Sequence, residues 1–275
     1  MSATELDDNL QRGMRRQRPW LVTVGLVITV YLVVPMLIVV PASFTSGSFL
    51  QVPPDGFSWR WYQAVFEGDD WTHAFVSSVR VSATAATGAT VVGTLAVLGL
   101  SRVRRFGRVL RPVFFLPMVL PYIVFALGLG RVAIPLGLAD TLWPLMAGQA
   151  VLCLPITFLT VAGGMSKLDP AYVRAASSMG ASWWRTVWKV ELPLLRRNVL
   201  TGWLLAFAFG FDEVVLALFL SPPGQETLPA KLYTEAAQNV SPLLASVSGL
   251  VVALTLLVAL VVLVTRKASP RRTRL

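Results

Sequence analysis

Apolar residues gather in runs of about 20, the length that carries a helix across roughly 30 Å of hydrocarbon. The runs fall at 20–41, 73–100, 112–134, 142–164, 199–221 and 243–265. Nothing alternates with the dyad period of a membrane β-barrel. The pattern predicts an all-α membrane protein with six transmembrane helices. It divides into a tail over 1–19, a transmembrane domain over 20–265 and a basic tail over 266–275. The first run is too long for the core of a signal peptide, so it reads as an uncleaved anchor, although Pro41-Ala42-Ser43 loosely resembles a cleavage site. In the third run, Pro117 and Pro121 lie one turn apart and predict a bend.

The longest polar break covers 165–198 and predicts two short helices. Asp169 can cap the first, with Pro170 in its opening turn, where a missing N–H costs nothing. Gly180 allows the sharp turn that ends it. Ser182 can cap the second, and Pro193 is expected to end it. The other breaks are 42–72, 135–141 and 222–242. The first is rich in Gly, Pro and aromatics, including Trp59, Trp61, Tyr62 and Trp71, which suit a membrane interface. The last contains LPAKLYTEAAQNV, a helix-compatible stretch.

Composition agrees with this class. Of the 275 residues, 55% are hydrophobic and 14% charged, where a soluble domain carries about a quarter charged residues. The net charge of +10 raises the question of nucleic acid, and its distribution answers it. Arg12, Arg15, Arg16 and Arg18 precede the first span. Arg102, Arg104, Arg105, Arg108 and Arg111 follow the second. Lys167, Arg174, Arg185, Lys189, Arg196 and Arg197 follow the fourth. Arg266, Lys267, Arg271, Arg272 and Arg274 follow the sixth, leaving only Arg60, Arg80, Arg131 and Lys231 for the rest of the chain. The positive-inside rule places both termini and the long loop in the cytoplasm. The basic excess is topological and can also touch anionic lipid; no nucleic-acid role follows. The lone Cys153 lies in an apolar run and the lone His73 at a loop-to-helix junction, so neither a disulfide nor a metal site nor a catalytic group can be assembled.

Asp212 and Glu213 stand in the fifth span. An ionised carboxylate at that depth costs at least about 2.5–3.5 kcal/mol and needs a partner or water. On a continuous helix the two are 100° apart, so one can line a substrate path while the other faces protein. Arg80 and Arg131, at similar depth on spans two and three, are possible ion-pair partners. Both readings stand at this stage.

The loop also carries a spacing. Ala175-Ala176, three residues, Gly180, nine residues, Val190, one residue and Leu192-Pro193 resemble the EAA motif of permease subunits of type I, MetI-like, binding-protein-dependent ABC importers. The resemblance implies that the loop docks on an ATPase subunit through Arg174, Ala175, Ala176, Gly180, Leu192 and Pro193. Arg174 departs from the family, which usually has Glu there. The run FGFDEVVLALFLSPPGQETLPAKLY, with FDE before an FL-S-x-P-G-x-x-TLP stretch, and PMVLPYIVFALGL resemble the spermidine/putrescine subfamily. The substrate path would then include Asp212, Glu213 and Tyr122, the last standing where several polyamine members are acidic.

That resemblance implies a bacterial inner-membrane location, a second related permease forming a heterodimer, two ATPase subunits and an extracytoplasmic substrate-binding protein. No Gly-x-x-x-x-Gly-Lys-Ser/Thr loop occurs, so ATP and Mg belong to the partner ATPase, and this chain is expected to carry no cofactor, metal or catalytic residue. Relatives of the family carry amino-acid derivatives, opines, phosphonates, thiamine or iron, so these solutes remain alternatives. An ion-coupled secondary transporter using Asp212 and Glu213 is a further rival, and it leaves the long loop unexplained.

Overall fold

The computed structural model describes residues 3–51, 53–103, 110–238 and 241–253. The basic tail 266–275, Arg104, Arg105 and Arg108, and the second half of the sixth span lie outside them. Among the described residues every regular element is helical; one isolated antiparallel bridge joins Thr45 and Phe57. The chain forms two compact units, Met1–Glu67 with Ala236–Leu275, and Gly68–Glu235.

In the first unit, α1 (Ala3–Ala42) runs without interruption from the expected tail through the first apolar run. The side chains from Val22 to Val34 are all exposed. Beyond α1, Phe44 stacks on Phe57 at 4.8 Å, and Trp59 and Tyr62 of the following turn and α2 (Arg60–Glu67) close the cluster. Aromatics expected at an interface thus also pack on one another. The Tyr62 and Ser43 hydroxyls share a hydrogen bond of 2.7 Å. Ser246 of α11 (Pro242–Ala253) donates to the Ser43 carbonyl at 2.9 Å.

The second unit is built on three long helices. These are α3 (Asp69–Leu100), α5 (Trp143–Met165) and α8 (Leu192–Phe211). Asp69 and Asp70 lie in the first turn of α3, where the helix dipole favours acids, and Pro144 opens α5 at a position that needs no N–H. The helices meet through small residues. Ala86, Ala89, Cys153 and Ala206 form one buried cluster. A Cβ on Gly93 would lie 2.5 Å from the Thr157 hydroxyl and 3.2 Å from the Phe158 nitrogen; one on Gly202 would sit 3.6 Å from the Thr157 Cα. Polar bonds cross the same seams. The Thr157 hydroxyl donates to Ala89 O at 2.9 Å, Trp203 Nε1 to the Thr87 hydroxyl at 3.0 Å, and Asn198 Nδ2 to Thr160 O at 3.3 Å.

Two of the expected spans are broken. A 3-10 segment (Arg111–Met118) and α4 (Tyr122–Ala133) meet at 99°. Pro117 and Pro121 produce the expected bend, because Pro121 has no N–H to continue the ladder and disfavours helical geometry in the residue before it. The segment returns to the core by stacking Phe114 on Phe158 at 4.8 Å. The fifth run breaks between α8 and α9 (Val215–Leu220), and α10 (Leu228–Gln238) follows.

The α3–α5 seam leaves no room for a side chain at Gly93. Gly93→Val is expected to lower the melting temperature of the solubilised protein, in line with about 1–3 kcal/mol of overpacking. Gly99→Ala, where a Cβ meets nothing within 4 Å, should leave it unchanged or raise it. Equal melting temperatures for the two variants would show that the seam tolerates a larger side chain.

Candidate functional site

The loop after α5 is organised by its own backbone. The Asp169 carboxylate accepts from Ala171 N at 2.8 Å and caps α6 (Pro170–Ser178), whose first residue is proline. At the other end Gly180 takes φ +78°. Gly180 N donates to Ser177 O and Ala181 N donates to Ala176 O, both at 3.0 Å. This is a Schellman termination with glycine at C′. It gives the Ala-x-x-x-Gly spacing a physical cause, since the carbonyl four residues before the glycine is the one that the turn caps. Ala176 is buried, while Arg174, Ala175 and Gly180 are exposed.

Ser182 stands at the N-cap of α7 (Trp183–Thr186), and its hydroxyl makes no capping bond. Pro193 does not end the second helix. The chain widens into a π turn (Val187–Glu191), in which Leu192 N reaches Val187 O, and continues directly into α8. Proline's ring would clash with the carbonyl four residues back, and the wider turn moves that carbonyl aside. Val187 and Leu195 bury against Val97, Leu98, Phe158 and Val161, so this half of the loop is fixed to α3 and α5. Leu192 is half-buried and Pro193 exposed.

Asp212 and Glu213 do not lie on a continuous helix. Asp212 is the C-cap of α8, with its N–H bonded to Ala208 O at 3.3 Å. Glu213 falls in the gap. Its side chain turns inward and accepts from Leu216 N at 2.9 Å and Ala217 N at 3.4 Å, capping α9. Glu213 is 6% exposed, whereas Asp212 is exposed. Sequence spacing could not separate the two; the helix break does. The expected pairing with Arg80 or Arg131 does not form among the described residues. Amide donors of α9 meet the buried carboxylate instead. Arg80 lines a cleft of about 340 Å³ with Asp140, Trp143 and Gln225. Arg131 lines another with Phe219, Pro222 and Pro223.

Tyr122, at the start of α4, packs against the apolar cluster that holds Leu216, Ala217 and Leu220 of α9. The two broken spans therefore share a core at their breaks. Two buried groups at this site went unnoticed in the sequence. Gln149 is 1% exposed and lies beside Glu213, without a well-formed hydrogen bond at either amide atom. Glu191 is 1% exposed and bonds Arg102. Its signal was its isolation, as the single acid between Asp169 and Asp212.

If Glu213 acts as a cap, Glu213→Ala should destabilise the protein by about 1–3 kcal/mol, the cost of leaving buried donors unmet. Glu213→Gln keeps an acceptor and should cost clearly less in thermal unfolding. Equal losses would show that the negative charge, not the acceptor, is what the site requires.

The profile of the family described as "Binding-protein-dependent transport system inner membrane component" matches residues 89–274. The spermidine/putrescine transport system permease protein PotC of Haemophilus influenzae is 34% identical over 214 residues, covering 77% of this chain and 83% of that protein. The putrescine transport system permease protein PotI of Escherichia coli strain K12 is 29% identical over 233 residues, covering 82% of each. Among solved structures, a bacterial ABC transporter involved in the import of the acidic polysaccharide alginate superposes with a TM-score of 0.70 at 14% identity, covering 97% of this chain and 100% of that chain. A loop built on the motif spacing and a helical core that superposes on an importer meet in one conclusion. The chain belongs to the binding-protein-dependent transport system inner membrane components, the permease subunits of ABC importers.

Proposed function

We propose that this permease forms half of the translocation pore for a polyamine such as spermidine or putrescine. The observation that carries the reading is the similarity to spermidine/putrescine and putrescine permeases over most of the chain. The geometry of the acidic pair supports it. Glu213 is consumed by the α9 cap, which leaves Asp212, exposed at the end of α8, as the carboxylate for a polycation. Tyr122 borders the same break.

In this reading six helices cross the inner membrane, with both termini and the 165–198 loop in the cytoplasm, following the basic residues. A second permease completes the pore as a heterodimer. Two ATPase subunits bind ATP and Mg and dock on the loop, and an extracytoplasmic binding protein delivers the solute. The chain itself hydrolyses nothing. The presence of a binding-protein complex among the superposable importers supports the last partner.

The test is uptake of labelled spermidine and putrescine by vesicles holding the assembled importer. ATP-dependent uptake should be competed by unlabelled polyamine and not by 2-aminoethylphosphonate, whose putative permease PhnV of Salmonella typhimurium is 30% identical over 190 residues. Asp212→Asn should lower uptake kcat/KM about tenfold to a hundredfold, the loss of a charged hydrogen bond, with assembly intact. ATP-dependent uptake of labelled 2-aminoethylphosphonate with none of labelled spermidine or putrescine would overturn the polyamine reading.

A second experiment addresses the loop. Gly180 has open space around it and φ +78°, so a side chain there meets backbone strain and no clash. Gly180→Val should leave the subunit inserted and uncouple ATP hydrolysis from uptake, because a β-branched residue is strained in that conformation and α6 loses its angle to α7. Wild-type uptake by this variant would remove the turn from the coupling mechanism.

A further inference from the structure

The joint between the loop and the long helices contains a charge where apolar packing would suffice. Glu191 closes the π turn, is 1% exposed, and accepts from Arg102 Nη2 at 2.5 Å. Arg102 lies two residues past the end of α3, anchored by its own N–H on Gly99 O at 3.1 Å. The second Glu191 oxygen is buried and has no hydrogen-bond partner among the described residues. An ion pair of this kind brings little net stability over a well-packed apolar pair, since desolvation offsets the attraction. What it does bring is position. Apolar contacts around Val97, Val187 and Leu195 tolerate small slides, whereas a short charged hydrogen bond fixes distance and direction.

α3 carries that position a long way. Its 32 residues make a rod of about 48 Å. Arg102 lies just past its last residue. Nearer its other end, Ser82 packs against Gly210, immediately before the Asp212 break, and Ser78 accepts from Leu228 N at 2.7 Å. One rigid element therefore touches the loop at one end and the broken span at the other.

We infer that Arg102 and Glu191 are a positioning pair, the joint through which displacement of the loop is passed to α3 and along it to the break beside Asp212. Neither residue touches substrate. The inference rests on the reading of the loop as the ATPase-docking element. The π turn is part of the device, because it sets the register that turns Glu191 inward while the chain proceeds into α8.

The importer, purified through a tag on this chain and placed in proteoliposomes, is assayed for binding-protein-stimulated ATP hydrolysis and for uptake per ATP. The wild-type complex tests the underlying reading by itself: without ATP-driven uptake, that reading fails whatever the variants do. Against a working wild type, Arg102→Gln and Glu191→Gln should each assemble, keep ATP hydrolysis, and lose about fivefold or more in uptake per ATP, the size of a typical coupling energy. The reversed pair, Arg102→Glu with Glu191→Arg, should recover most of the ratio. Unchanged uptake per ATP in the assembled single variants overturns the inference. Should the single variants fail to assemble, Arg102→Leu with Glu191→Leu decides. That variant restores an uncharged joint; full coupling in it shows that the pair only holds the fold and overturns the inference, while hydrolysis without uptake sustains it.

Discussion

Everything in the second unit depends on how closely α3, α5 and α8 approach one another. Hydrocarbon chains are as apolar as leucine, so helices in a bilayer gain nothing from hiding apolar surface, and association falls to contact area and hydrogen bonds. Alanine and glycine faces permit that approach, and Gly93 against Thr157 shows how little slack remains. The Thr157 hydroxyl is shared between the carbonyl of Ala89 across the seam and that of Leu154 in its own helix, so separation would cost the interhelical bond. The loop then hangs between two members of this trio, leaving α5 and re-entering α8. Its second half is rigid because its anchors are.

Against that rigid background the two broken spans have a different character. Irregular backbone is tolerated inside a membrane where protein or a cavity satisfies the freed groups. Here a glutamate side chain does so, meeting the first amides of α9. A carboxylate is matched to that position because a helix N-terminus is positive. One acid of the pair is thereby built into the architecture, and the neighbouring acid, on the other side of the same turn, stays exposed. Two adjacent and chemically similar residues meet opposite surroundings because the backbone changes direction between them.

Much of this was legible in the sequence where the cause was local. Asp169-Pro170 announced a helix start and Gly180 its end, since caps depend on residues within one turn. The proline bend at Pro121 was equally local. The readings that changed were those needing distant partners. Pro193 read as a stop, yet Val187 and Leu195 bury on either side of it against α3 and α5, and packing kept the helix going as a π turn. The Asp212-Glu213 dipeptide read as helical because the apolar run around it holds no proline; its break is sustained by a cap and by Tyr122 and its neighbours around α9. The Arg102–Glu191 pair spans 89 positions, and no spacing rule reaches that far.

The contrast between α1 and the broken spans has a consequence for biogenesis. From Val22 to Val34 the first helix is continuous, holds no proline and presents exposed side chains, so this stretch is competent to enter the bilayer as soon as it leaves the translocon. The segment after Phe211 is not, because its short helix of Val215–Leu220 leans on a buried acid and on a core that other spans supply. Its stable burial therefore needs α3 and α5, which precede it in the chain, so the order of synthesis supplies its supports before the segment that leans on them.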